Sequence, residues 1–184
     1  MVIVKGVKTV KFAYADPPYH GRGKIDYGRY HIEAHLWDNK ETHLILQEKM
    51  FDEFPDGWAM SCNPRDLHWI VRYPDETRIC AWVKTFAQIR GVSVQYFWEP
   101  VLLFRGRYIK KRKPMVLDWM ACAANQKRGL KGSKPDKFND WVLELLGFEY
   151  GDDLIDIFPG TNSMQTAVAK YSDSHHISDD TPRG

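Results

Sequence analysis

Three short stretches of the chain carry side chains able to do chemistry. In residues 11–23, KFAYADPPYHGRG, an apolar run stops at Asp16 and passes through Pro17 and Pro18 to Tyr19. A carboxylate followed by two residues with fixed φ and no N–H makes a stiff turn that presents hydrogen-bond acceptors. The same composition also serves as a plain rigid turn. In the second stretch, DLIDIF runs into Pro159, Gly160, Thr161, Asn162 and Ser163 at the head of a helix. A small-residue turn entering a helix lets a ligand approach the backbone closely. In the third, Lys134 and Pro135 open the preceding helix. A cation at a helix N-terminus is mildly unfavourable unless something there needs it. Ligands of open α/β sheets sit outside the carboxyl ends of the strands. The three stretches therefore form one site only if the two strand ends lie side by side.

The elements that would position them read as alternating strands and helices. Strands are expected at residues 8–15, 57–62, 77–84, 98–106 and 152–158, the last of a buried, apolar-on-both-faces type. Residues 16–35, with three glycines, read as a mobile loop. Asp38 and Glu41 have capping-box spacing before a helix to Phe54 whose inner stripe is Leu46, Met50 and Phe54. Pro64 opens a second helix to about Tyr73. Ser133 and Asp136 have the same capping spacing before Phe138, Trp141, Val142, Leu145 and Leu146, and Gly147 stops that helix. Residues 115–123 are ambiguous. The last helix ends near Tyr171, and the polar tail 172–184 is expected to be disordered, with His175 and His176 unstructured rather than metal ligands. The pattern implies an α/β fold with a mostly parallel sheet; the 77–84 and 98–105 strands, with no helix between them, suit an antiparallel edge.

The 184 residues suffice for one domain. Net charge is +2, so affinity for nucleic acid must come from a local patch. One candidate is the run Arg105, Arg107, Lys110, Lys111, Arg112 and Lys113. Another is the loop carrying His20, Arg22, Lys24 and Arg29, which follows the Asp16 turn and could close over a nucleotide. Cys62, Cys80 and Cys122 are odd in number and widely spaced, which argues against a disulfide framework or a zinc site and fits a reducing cytoplasm. No apolar run approaches membrane-span length.

The segments ADPPY, WEPVLLFRGR, KPDKFNDWVLELLG and DLIDIFPG together resemble the S-adenosylmethionine-dependent adenine-6-amino methyltransferases. The similar branch holds the enzymes that methylate adenosine in messenger RNA and their bacterial and phage relatives, and the stretches PDGWAMS and AWVK look phage-encoded. The resemblance covers most of residues 8–168. It implies a Rossmann-like methyltransferase sheet with a circularly permuted motif order, forming one domain over residues 1–171. It also implies that part of the usual sheet is missing, because the strand that normally follows the last helix and holds the ribose has no counterpart here. A homo- or hetero-oligomer could complete the cofactor site.

On this resemblance the cofactor is S-adenosylmethionine and the substrate is the exocyclic amine of adenine in DNA, with cytosine-N4 a sub-variant and RNA less favoured. Asp16, Pro17, Pro18 and Tyr19 are the catalytic residues: the Asp16 carboxylate and Pro17 carbonyl accept the two N–H groups of the amine, and Tyr19 stacks on the extruded base. Lys134 contacts the methionine carboxylate or nearby polar atoms. Phe158, Gly160, Thr161, Asn162 and Ser163 line the cofactor cleft, with Asp156 at the strand end and Asp16 facing the cofactor as well. Methylation at cytosine carbon 5 needs a nucleophilic cysteine, and none of the three follows a proline. The alternative is a methyltransferase-like module that binds nucleic acid or a partner without transferring methyl. Neither reading involves a metal or a membrane.

Overall fold

The computed structural model describes residues 9–73, 75–86, 89, 91–109, 115–124 and 133–176. They form a six-stranded sheet in the order β5-β3-β4-β2-β1-β6. The strands are β1 (Lys11–Ala15), β2 (Gly57–Ser61), β3 (Thr77–Lys84), β4 (Trp98–Arg105), β5 (Trp119–Cys122) and β6 (Asp153–Asp156). β1 pairs in parallel with both β2 and β6, and β3 pairs in parallel with β5, while β4 runs antiparallel to β2 and β3. Only β4 is reversed. The carboxyl ends of the other five strands therefore share one crest of the sheet with the amino end of β4.

Two helical layers cover the faces. On one, α3 (Asp136–Leu146) and α4 (Ser163–His176) pack on Phe12, Tyr14, Trp82, Val101, Leu103 and Leu154. On the other, α1 (Lys40–Glu53) and the short α2 (Leu67–Ile70) cover Ala13, Trp58, Met60, Leu102 and Phe104. Trp58 and Phe104 face each other across the β2–β4 register and stack at 5.3 Å between ring centroids. The expected stripes Leu46–Met50–Phe54 and Phe138–Trp141–Val142–Leu146 point into these cores, and Leu145 is half-buried at the border. Gly147 ends α3 in the left-handed region at φ 66°, where the Phe148 N–H reaches back to the Leu143 carbonyl. No helix among the described residues is long and apolar enough to cross a membrane.

Several local expectations need correction. Asp38 does not cap α1; Asn39 does, accepting the Glu41 N–H at 3.0 Å. Asp38 instead accepts the N–H groups of Gly23 and Lys24 at 2.7 and 3.2 Å. It thereby builds structure into the segment expected to be a mobile loop, a π-helical turn (Gly23–Tyr27) packed on a 3-10 helix (Ile32–Asp38). Ser133 does not cap α3; its hydroxyl lies 3.3 Å from that of Thr161. The helix expected at 64–73 is a 3-10 turn (Pro64–Asp66) plus α2. β6 is not buried on both faces: as the outermost strand it leaves Ile155 uncovered. The ambiguous 115–123 region holds β5, which lies outside the antiparallel β3–β4 pair. α4 runs on to His176, and the rest of the tail lies outside the described residues.

At the end of the sheet opposite the crest, one carboxylate gathers three elements. Asp152 accepts the Val10 N–H just before β1, the Glu149 N–H before β6, and both forks of Arg107 just after β4.

Candidate functional site

At the crest, Asp16 follows directly on β1 and Glu99 is the second residue of β4. Reversal of β4 is what brings Glu99 there, opposite Trp82 in the β3 register. Between the two carboxylates stands Lys134, from the segment leading into α3. Its Nζ donates to Glu99 Oε1 at 2.6 Å, to Asp16 Oδ1 at 2.9 Å and to the Tyr19 hydroxyl at 3.2 Å. Lys84, the last residue of β3, donates to Glu99 Oε2 at 3.0 Å. Lys134 is only 6% exposed. The rings of Tyr19, Trp82 and Phe138 lie 5.6, 5.8 and 5.6 Å from its ammonium. A lone buried ammonium would be costly; two carboxylates and aromatic faces make this one tolerable.

The four charges are not equivalent. Burial works against ionisation of Glu99, but Lys134 and Lys84 outweigh it and hold its carboxyl down at about 2. Asp16 shares Lys134 with Glu99, and burial together with the Glu99 charge leaves its carboxyl raised. Burial would also strip the proton from Lys134, but Asp16 and Glu99 keep it protonated. Of the two carboxyls that share Lys134, Glu99 is thus the lowered one and Asp16 the raised one. Beneath them the buried Tyr14 hydroxyl lies 3.0 Å from Ser61 Oγ, and burial raises the pKa of both Tyr14 and Tyr19, so each stays a phenol.

The neighbouring strand end carries the glycine turn. β6 pairs with β1 so that Asp156 lies beside Tyr14, and the Ile157 N–H continues the pairing to the Tyr14 carbonyl at 2.9 Å. Asp16 and the Pro159–Ser163 turn therefore leave adjacent parallel strands in the same direction. Burial, with the Asp16 charge adding to it, raises the Asp156 carboxyl to about 6; its Oδ1 accepts the Phe158 N–H at 3.1 Å. Gly160 has φ 45° and Asn162 φ 58°, a region asparagine tolerates better than most residues. The Ser133–Thr161 contact brings the Lys134 segment against this turn. The Phe158 ring packs edge-on against Trp37 at 5.0 Å.

The residues expected to touch nucleic acid divide into two groups. His20 lies at the crest, its Nδ1 3.6 Å from Asp66 and its ring edge-on to Trp69 at 5.4 Å. Arg22 forks onto Asp26 at 2.7 and 2.8 Å, while Lys24 and Arg29 are exposed. Tyr27, in the same segment, has its hydroxyl pKa raised, first by burial and then by the charge of Asp16, which puts it within electrostatic reach of the pocket. Arg105 and Arg107 are a correction. They leave the carboxyl end of a reversed strand and so lie at the opposite end of the sheet, not beside the pocket. Both are engaged there, Arg105 with Glu76 at 2.6 Å and Arg107 with Asp152 at 2.6 Å and Glu149 at 2.9 Å. They help line an open groove of about 810 Å³ with Tyr108, Met115 and Leu145, remote from the Asp16 cluster. Lys110, Lys111, Arg112 and Lys113 lie outside the described residues.

Glu99 and Lys84 belong to the cluster and were not singled out from the sequence. The available signal was an acid inside an otherwise apolar strand, Trp98-Glu99-Pro100-Val101. Buried acids of that kind need a cation nearby.

No family model and no curated protein sequence matches the chain. Solved structures do. M1.HpyAVI in its complex with SAM superposes with a TM-score of 0.51 at 14% identity, over 89% of this chain and 79% of that one. TTHA0409 of Thermus thermophilus, provisionally assigned as a DNA modification methylase, gives 0.54 at 16% identity, over 89% and 78%. A second crystal structure of M1.HpyAVI gives 0.50 at 12%, over 89% and 77%. At these identities what is shared is the fold; in this chain it is a Rossmann-like α/β sheet, mostly parallel with one reversed strand.

Proposed function

We propose that the chain is an S-adenosylmethionine-dependent DNA methyltransferase acting on the 6-amino group of adenine, of phage type, with the 4-amino group of cytosine as the variant substrate. One observation carries the reading. The Asp16 carboxylate and the Gly160 turn leave neighbouring parallel strands at the same crest, with the Lys134 ammonium between the strands that supply the carboxylates. The fold likeness to a DNA modification methylase and to an SAM-bound structure supports it.

The residues present fit such a cofactor. Lys134 would meet a carboxylate by redistributing one of the donors it now gives to Glu99, Asp16 and Tyr19, the turn at 159–163 opens onto the N-terminus of α4, and Asp16 and Asp156 place carboxyl groups at the strand ends. When bound, S-adenosylmethionine supplies a methyl group on a positively charged sulfur. An adenine amine is a poor nucleophile because its lone pair is delocalised into the ring. Asp16 and the Pro17 carbonyl would accept its two N–H groups and favour a pyramidal nitrogen with the lone pair directed out of the ring plane. Pro17 and Pro18 fix that turn in advance, so the acceptors need not reorganise. Tyr19, kept as a phenol, offers its ring to the base. Asp16 need not be a strong base, since alignment does most of the work and the nitrogen becomes acidic only as the new bond forms.

Incubating the chain with DNA and S-adenosylmethionine, then weighing the nucleosides by mass spectrometry, tests the reading: N6-methyladenine is expected, and N4-methylcytosine would select the variant. A second reading, a non-catalytic binding module, is favoured by β6 being the outermost strand of the sheet, which leaves the adenosine side of the turn without a further strand among the described residues. Calorimetry decides between them, because an enzyme must bind S-adenosylmethionine and the module need not.

A further inference from the structure

The segment between the Asp16 turn and α1 is built to be rigid, yet it displays what a rigid surface segment normally hides. Its order is over-determined. Asp38 accepts two N–H groups of the π-helical turn, Arg22 forks onto Asp26, and the Tyr27 carbonyl accepts the N–H groups of Tyr30 and His31 at 2.8 and 3.0 Å. Gly23 sits so close under the 3-10 helix that a Cβ there would lie 2.0 Å from the Ala34 carbonyl oxygen. On this frame Ile25 is 67% exposed, Tyr30 61% and Ile32 91%, interleaved with exposed Lys24 and Arg29. Arg22 and Asp26 neutralise each other, so among the described residues of this segment Lys24 and Arg29 are the exposed lysine and arginine beside a larger apolar and aromatic surface.

That mixture has a chemical meaning beside a pocket that takes a base. Duplex binding depends on many cations meeting phosphates. Single-strand binding adds to its phosphate-facing cations aromatic faces on which unpaired bases stack, a contact that the paired bases of a duplex do not offer. Among the described residues, Arg105 and Arg107 are paired at the far end of the sheet and add no cation to this segment. Resting on the DNA methyltransferase reading above, we propose that residues 24–32 form a preformed stacking platform for an unpaired DNA strand, so that the target base reaches Asp16 from single-stranded or locally melted DNA.

The test offers one oligonucleotide both single-stranded and annealed to its complement. Methylation of the single strand is expected to be at least about tenfold faster at sub-saturating concentration. Tyr30→Ala and Ile32→Ala should each raise KM for the strand, together by about tenfold or more, with the loss in KM rather than kcat. The slope of log affinity against log salt should stay shallow, about −0.7 to −1.4 for one or two phosphates of a single strand. A duplex methylated as fast as the strand, or a KM unmoved by the double substitution, overturns the platform. Should neither substrate be methylated, the function reading fails instead. Fluorescence anisotropy of the labelled strand and duplex then still decides the platform, which requires the strand to bind more tightly and the double variant to weaken it.

Discussion

The two ends of the sheet both bring cations to carboxylates, and they do so with different chemistry. At the far end arginines lock onto their partners: Arg107 meets the fully buried Asp152 through both forks, and a planar guanidinium of this kind holds one geometry. At the crest lysines are shared: one ammonium serves Asp16, Glu99 and Tyr19, and a second serves Glu99. An ammonium is a compact charge whose three donors can be redistributed when a ligand arrives. Basic residues therefore mark stability at one end and a candidate site at the other. Proximity in the chain to a strand does not tell which; the direction of that strand does.

The contrast can be broken most sharply at Asp16. Asp16→Ala should lower methyl transfer by about a thousandfold, the scale of losing a preorganised polar contact in the transition state, while circular dichroism stays that of the parent; retained activity would remove Asp16 from the chemistry. At the other end Arg107→Ala should cost about 3 kcal/mol in urea unfolding, because it strands a buried carboxylate, and should leave KM for DNA unchanged. Weakened DNA binding in that variant would mean that the far end touches substrate after all.

Glu99→Gln sharpens the crest itself. Glu99 raises the Asp16 carboxyl and competes with it for Lys134, so its removal lowers the Asp16 pKa and the acid limb of the methylation profile should move to lower pH. The same variant has a stability signature. Glu99 lies at about 2 in the folded chain against an ordinary 4.5. The stability it contributes is present above pH 4.5 and lost as the pH falls toward 2. Gln lacks that loss, and unfolding series at about pH 5 and about pH 3 should show a smaller drop than the parent. The smallest effect belongs to Arg105→Ala, whose pair with Glu76 is about half-exposed on both sides and should be worth under about 1 kcal/mol.

What the sequence disclosed follows the range of the forces involved. Residues 77–84 are the observed β3 and the α3 stripe falls on the core, because both patterns repeat within a few residues. Asp16 and the Gly160 turn were legible because unusual backbone residues, proline and glycine, mark them. Glu99 was not, since its partners are 15 and 35 residues away and only the reversed strand unites them. The 16–35 segment reads as mobile from the sequence because its glycines suggest freedom. In place, Gly23 permits a close approach and Asp38 bonds the turn from 15 residues away. Arg105 and Arg107 looked like site residues because a charge run carries no mark of which way its strand points.

The Asp152 staple has a consequence at the other end of the molecule. By gripping the entry to β1, the entry to β6 and the exit of β4 together, it stops β1 and β6 from slipping past one another. Strand pairing slips in steps that keep side chains on their faces, two residues or about 6.6 Å along a parallel pair. A single such slip would carry the acid and the glycine bend out of reach of a common guest. The spacing of the two strand ends is thus ruled from below, by a carboxylate at the opposite end of the sheet.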